Sequence, residues 1–148
     1  MLREAHAIWK DGPYAGEGVL STPSGVLKNA KYTFGLQTGL QAHTSPCEML
    51  AAAVASCMSR MVALEMARVG IKPAQVETDA TFSLEFVGES VQVSGVQLKI
   101  TARTSDSEYS RFEEAIESAR RECPISSLLN VDIQCDAKVI PTTASALV

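Results

Sequence analysis

Four cysteines, Cys47, Cys57, Cys123 and Cys135, are the residues of this 148-residue chain best suited to covalent chemistry. No two of them have the C-x-x-C spacing of a zinc knuckle or a thioredoxin-type site, and only His6 and His43 are available as nitrogen ligands. Neither histidine has a ligand-like spacing to a cysteine, so no metal site is expected, and no cofactor motif is read. In a reducing compartment a thiol persists either as a small apolar core residue or as a redox group. Cys57 lies in the most apolar stretch of the chain, where the core reading is the plainer one. Cys123 precedes Pro124, and helix-break positions tend to be accessible and to offer free backbone N–H groups to a thiolate. Cys135 keeps register with Ile133 and Ala137 and reads as structural. Cys47 falls at an expected helix N-terminus, where the macrodipole favours a thiolate. Spacing alone does not join these four into a site.

The elements that must position them are short. Residues 4–36 read as strands broken by turns: Ala5 to Lys10, then Asp11-Gly12-Pro13, then Val19 to Thr22 and Val26 to Leu27 around Pro23-Ser24-Gly25, then Tyr32 to Leu36. Gln37 to His43 reads as a loop. Ser45-Pro46-Cys47-Glu48 has the form of a helix start, with Ser45 as cap, Pro46 at the first helical position and Glu48 completing a capping box. The helix that follows is apolar almost all round, with Leu50, Val54, Cys57, Met61 and Leu64 spaced by threes and fours, which predicts central burial or a subunit interface. Gly70 ends it and Pro73 prevents resumption.

Val76 to Phe86 has period two, and Gly88 turns it into Val91 to Arg103. There the apolar phase slips between Val93 and Val96, which predicts a bulge at Ser94-Gly95. Ser105 with Glu108 suggests a second capping box, before a helix that lays Tyr109, Phe112, Ile116, Ala119 and Cys123 on one face. A short turn, Ile125 to Leu129, and a strand from Val131 to Val139 follow. The expected class is α+β with mostly antiparallel pairing, as one domain over residues 1–140 and a loose tail over 141–148.

Composition narrows the function classes. Apolar residues at 46% and charged residues at 20% are ordinary globular usage, which excludes disorder for most of the chain. Thirteen basic against seventeen acidic residues give a net charge of -4 with no basic run, so nucleic acid is not an expected partner. The uncharged apolar run Met49 to Ser59 is too short for a bilayer, which needs about 20 apolar residues, so no membrane partner is expected. The first residues, MLREAHAIWKDG, carry charge and no apolar signal region, and the expected location is cytoplasmic.

Several short motifs, weak singly, fall in one order: Trp9-Lys10, Gly16-x-Gly18, Ser21-Thr22-x-Ser24-Gly25-Val26-Leu27, Tyr32-x-Phe34, Thr44-Ser45-Pro46-x-Glu48-x-Leu50-Ala51-Ala52-Ala53 running to Cys57, and Cys123-Pro124-Ile125-Ser126 with Leu128-Leu129. With these the chain resembles the OsmC/Ohr family of thiol-dependent peroxidases along residues 5–140, closer to the OsmC branch. The resemblance implies an intertwined homodimer with a central cysteine-bearing helix, Cys57 as the peroxidatic and Cys123 as the resolving cysteine. It further implies an organic hydroperoxide as substrate and a lipoyl-type dithiol as reductant, in oxidative-stress defence, with hydrogen peroxide as a second substrate to test.

The chain departs from the family pattern at the charged pair beside the peroxidatic cysteine. The family's arginine, five residues beyond the tyrosine matching Tyr32, is Gln37 here, and its glutamate after the helix-opening proline is Cys47. Glu48 remains, with the capping box as its ready role. Arg60, one turn beyond Cys57, is the candidate replacement cation, against the plainer reading of a snorkelling or interface arginine. The competing reading of function is a non-catalytic homodimer of the same fold that holds a small apolar ligand.

Overall fold

The structure is a computed structural model describing residues 1–13, 16–33, 43–107 and 110–142. The described residues divide into two compact units, 1–50 and 51–148. Expectations for Phe34 to Leu36, Gln37, Glu108, Tyr109 and the tail from residue 143 lie outside the described residues.

In the first unit β1 (His6–Lys10), β2 (Glu17–Ser21) and β3 (Ala30–Tyr32) form an antiparallel sheet in that order. Gly18 pairs with Trp9 on one side and Tyr32 on the other, and a Cβ there would run into the Tyr32 ring. A Cβ on Gly16 would collide with the carbonyls of Lys10 and Gly12, so both positions of the Gly-x-Gly motif need glycine for close approach. The expected strand Val26–Leu27 does not form. Thr22 N–H instead bonds Leu27 O at 2.9 Å, which closes a loop, and Asn29 at φ 49° turns the chain so that Ala30–Tyr32 is the segment pairing with β2.

The helix α1 (Pro46–Arg68) starts as its sequence implies. Glu48 N–H donates to Ser45 Oγ at 3.1 Å and Ser45 N–H donates to Glu48 Oε2 at 3.2 Å, a complete capping box. Thr44 Oγ1 adds a bond to the same carboxylate at 2.9 Å.

In the second unit β4 (Pro73–Val87) pairs antiparallel with β5 (Ser90–Thr104), and β6 (Asp132–Pro141) pairs parallel with β5. The crossover is α2 (Phe112–Glu122) with a 3-10 turn at Ser126–Leu128, as a parallel connection requires. The sheet buries one face only: Val96, Leu98, Ile100 and Ala102 are inside while Gln97 and Lys99 between them are exposed. Ser83 pairs with Gly95 and Leu84 with Val93, which leaves Ser94 unpaired as the expected bulge.

The closing end of α1 is a Schellman turn. Gly70, at φ 87°, donates to Ala67 O at 3.1 Å, and Ile71 N–H donates to Met66 O at 2.9 Å. The second helix begins later than Ser105 suggests, with Arg111 at the cap position and no side-chain cap. Asp106 explains this. Its carboxylate accepts Lys72 N–H at 2.6 Å and its own N–H bonds Thr104 Oγ1 at 3.0 Å, which ties the segment to the start of β4 instead of a helical turn.

The buried stripe of α1 also differs from the expected one. It runs through Val54, Met58, Met61, Val62 and Met66, packed with β5 and with Phe112, Ala115, Ile116 and Ala119 of α2. Ala52, Ser56, Arg60 and Leu64 form an exposed row at spacing four, so burial within one chain covers one face. At 23 residues α1 is long and apolar enough to cross a bilayer by length and composition, unlike the shorter Met49–Ser59 run. In this fold its apolar stripe forms the core of the second unit.

Candidate active site

Rotation of the buried stripe leaves Cys57 half-buried at its edge, packed against the core without being enclosed in it. Cys123, one residue past α2, is fully buried, and not accessible as its helix-break position suggests, because the turn after Pro124 folds back onto it. The fold brings these two sulfurs, 66 residues apart in sequence, to 3.1 Å within the second unit.

Around Cys123 the chain makes a small donor cup. Pro124 stops α2, and the turn that follows aims Ser126 back at the thiol: Ser126 Oγ donates to Cys123 Sγ at 3.2 Å and Ser126 N–H at 3.5 Å. Ser126 is itself buried. Ser127 N–H bonds Cys123 O at 3.1 Å and Leu129 N–H bonds Ser126 O at 3.1 Å, which fixes the turn.

The two thiols are therefore unlike. Burial pushes Cys57 above the ordinary thiol range, and its hydrogen bond with Cys123 pushes the same way; the Ile125 N–H and, more weakly, the Arg60 charge oppose this. Burial would also raise Cys123, but Ser126 through hydroxyl and amide, the Cys57 thiol and the Ile125 N–H outweigh it and hold Cys123 below the ordinary range. Of the two thiols, Cys123 is the one whose charged form its surroundings favour.

The remaining candidates do not join this cluster equally. Arg60 is exposed, with Nη1 4.0 Å from Met61 Sδ, and reaches Cys57 only through its charge. Glu48 is engaged in the capping box. Cys47 is half-buried in the first turn of α1, and Gln37 lies outside the described residues. Cys135 pairs with Leu98 across β5 and β6, and burial raises its pKa, as suits a structural thiol. The backbone N–H groups expected beside Cys123 are those of Ile125 and Ser126, and the Ser126 hydroxyl is the group that sequence reasoning passed over. The available signal was the Cys-Pro-x-Ser string at a helix end, where a proline forces the following amides and hydroxyl to fold back.

Comparison with known proteins places this geometry in a family. Residues 38–138 match the family described as OsmC-like protein. The chain is 30% identical over 134 residues to peroxiredoxin OsmC of Escherichia coli (strain K12), covering 90% of this chain and 94% of that one. Among solved structures it superposes on an OsmC-like protein of unknown function from Vibrio cholerae with a TM-score of 0.76 at 16% identity, covering 93% of this chain and 99% of that one. It also superposes on the organic hydroperoxide resistance protein OhrB of Bacillus subtilis with a TM-score of 0.65 at 20% identity, covering 91% and 98%. With a family match over two thirds of its length and a curated relative along nearly all of it, the chain belongs to the OsmC-like family.

Proposed function

We propose that this protein is a cysteine-based peroxidase that reduces organic hydroperoxides. The observation that carries the reading is the pair of free sulfurs, Cys57 half-buried and Cys123 enclosed, at 3.1 Å in an OsmC-like fold. The Cys57 thiolate attacks the peroxide O–O bond, and the terminal oxygen passes to sulfur with its hydrogen to give Cys57 sulfenic acid. The alkoxide leaves and takes from solvent the proton that the thiol had released. Cys123 then attacks that sulfur and expels water, forming the Cys57–Cys123 disulfide. An external dithiol of the lipoyl type returns both thiols and leaves as its own disulfide. An organic hydroperoxide is favoured over hydrogen peroxide by likeness to a protein named for organic hydroperoxide resistance.

The protein works as a homodimer in the cytoplasm in this reading. Support for the dimer comes from apolar surface in the second unit: Leu64 on α1, and Leu84, Phe86, Val87 and Val91 at the β4–β5 turn, are all exposed in the single chain. Light scattering at micromolar concentration should return twice 15.8 kDa, and a stable monomer would remove that part of the reading.

The test of activity is consumption of cumene hydroperoxide with dihydrolipoamide as reductant, with hydrogen peroxide as control. Turnover is expected in the wild type. Cys57→Ser should abolish it, and Cys123→Ser should stop after one equivalent with Cys57 trapped as sulfenic acid. A raised Cys57 thiol and the lost arginine position, Gln37, favour the second reading, a ligand-holding homodimer without turnover. Absence of peroxide consumption up to pH 9 would select it.

A further inference from the structure

We propose that the Ser126 turn makes Cys123 the leaving sulfur when an external dithiol opens the Cys57–Cys123 disulfide, so that reductant attacks Cys57 alone. The inference deepens the peroxidase reading and rests on it for the role of the disulfide. Its physical basis is the asymmetry around the two sulfurs. Cys123 is fully enclosed, whereas Cys57 is open enough at the edge of α1 to be approached. Cys123 alone is held by a hydroxyl donor, Ser126 Oγ at 3.2 Å, with the Ser126 amide at 3.5 Å behind it. Neither donor belongs to the family's charged pair, and both come from one buried residue.

The step balances as a thiol–disulfide exchange. A thiolate of the dithiol attacks Cys57 Sγ, in line with the S–S bond; that bond breaks and its electron pair goes to Cys123 as thiolate, which the donor cup stabilises. The second thiol of the reductant, deprotonated, then attacks its own half of the mixed disulfide. Cys57 leaves as thiolate and takes a proton, and the reductant departs as a cyclic disulfide. The sulfur whose thiolate is better stabilised leaves faster, and the sulfur that is accessible is the one attacked. Here both criteria select the same direction. The same stabilised Cys123 thiolate is then in place to attack the sulfenic acid of the next cycle.

The experiment separates this inference from the activity. The full chain, in a Cys47→Ser, Cys135→Ser background, is oxidised with diamide, so that the disulfide is made without peroxide. It is then treated with 2-mercaptoethanol, quenched with acid and alkylated. Peptide mass spectrometry should find the mercaptoethanol adduct on Cys57 and the alkyl group on Cys123. Stopped-flow reduction by dihydrolipoamide should slow about three- to tenfold in Ser126→Ala, because loss of the donor raises the pKa of the leaving sulfur and a more basic thiolate leaves more slowly. Ser126→Thr, which keeps the hydroxyl, should recover most of the rate. In reduced protein carrying Cys57→Ser, Ser126→Ala should move the alkylation profile of Cys123 to higher pH, which mere loosening of the turn would not do. An adduct on Cys123, or an unchanged reduction rate and pH profile in Ser126→Ala, would overturn the inference. Failure of diamide to link Cys57 with Cys123 would overturn it as well. A diamide-made disulfide that behaves as stated in a protein that consumes no peroxide would leave the inference standing and refute the peroxidase.

Discussion

Oxidation of the Cys57–Cys123 pair should make the second unit markedly more stable, by an amount the structure allows to be worked out. A cross-link stabilises chiefly by removing loop-closure freedom from the unfolded chain, and the loop here spans 66 residues. The chain-entropy relation gives about 15 cal/mol/K for such a loop, or about 4 kcal/mol at room temperature. Engineered cross-links fall short of this figure when they distort the native geometry. That penalty should be small here, because the sulfurs already stand at 3.1 Å and need to close only about 1 Å to reach bonding distance. For a chain of this size about 4 kcal/mol corresponds to a rise of roughly 10–15 °C in Tm. The assay is urea and thermal unfolding of diamide-oxidised against reduced protein, in the Cys47→Ser, Cys135→Ser background. The urea slope should also fall, because the cross-linked unfolded chain exposes less surface. Cys57→Ser should show no response to diamide. A shift below about 1 kcal/mol, or destabilisation on oxidation, would show that closing the bond strains α1 against the Cys123 turn and would refute the reasoning.

Because burial and the Cys123 hydrogen bond raise the Cys57 thiol, its thiolate fraction grows with pH beyond the usual range; peroxide consumption should climb continuously from pH 7 to above pH 9 without a plateau, as followed by cumene hydroperoxide loss. Arg60→Ala removes a charge that favours the Cys57 thiolate, so it should slow the reaction at pH 7, but by less than about threefold, because that charge is exposed and screened; a total loss in the same assay would make Arg60 the replacement for the family's arginine. Restoring the pair with Gln37→Arg and Cys47→Glu together should raise the neutral-pH rate about tenfold, the equivalent of one pKa unit at the attacking thiol, and no change in single-turnover kinetics would refute it. Gly70→Ala should cost about 1–2 kcal/mol in urea unfolding, because φ 87° penalises any Cβ while the surrounding space is open and adds no clash.

What could be read from the chain alone was what short range determines. The Ser45–Glu48 capping box, the Gly70 stop and the bulge at Ser94 each rest on residues within a few positions of one another, and all three appear in the structure. Where a distant partner competes, local reading failed. Asp106 and Thr104 are recruited by Lys72 at the start of β4, which cancels the helix start expected at Ser105. Thr22 closes a loop onto Leu27, which removes the expected strand there. The parallel pairing of β6 with β5 likewise has no local signature, since Ile133, Cys135 and Ala137 alternate identically in either direction.

The site follows the same logic. Periodicity could not choose the buried stripe of α1, because a helix apolar all round offers several, and that choice decides how far Cys57 is buried. Packing with α2 and β5 buries Val54, Met58 and Met61 and leaves Cys57 half-buried at the edge of the core. The pairing of Cys57 with Cys123 came from resemblance, because 66 residues and a crossover helix separate them. Ser126 was legible in principle and missed in practice, since a serine three residues after a cysteine carries meaning only once the proline between them has bent the chain. That bend separates the two thiols electrostatically, holding the buried Cys123 below the ordinary thiol range while the half-buried Cys57 stands above it. A pair arranged in this way is better set for releasing Cys123 than for attack by Cys57 at neutral pH, so loss of the family's arginine and glutamate should slow the oxidative half of the cycle and spare the reductive half.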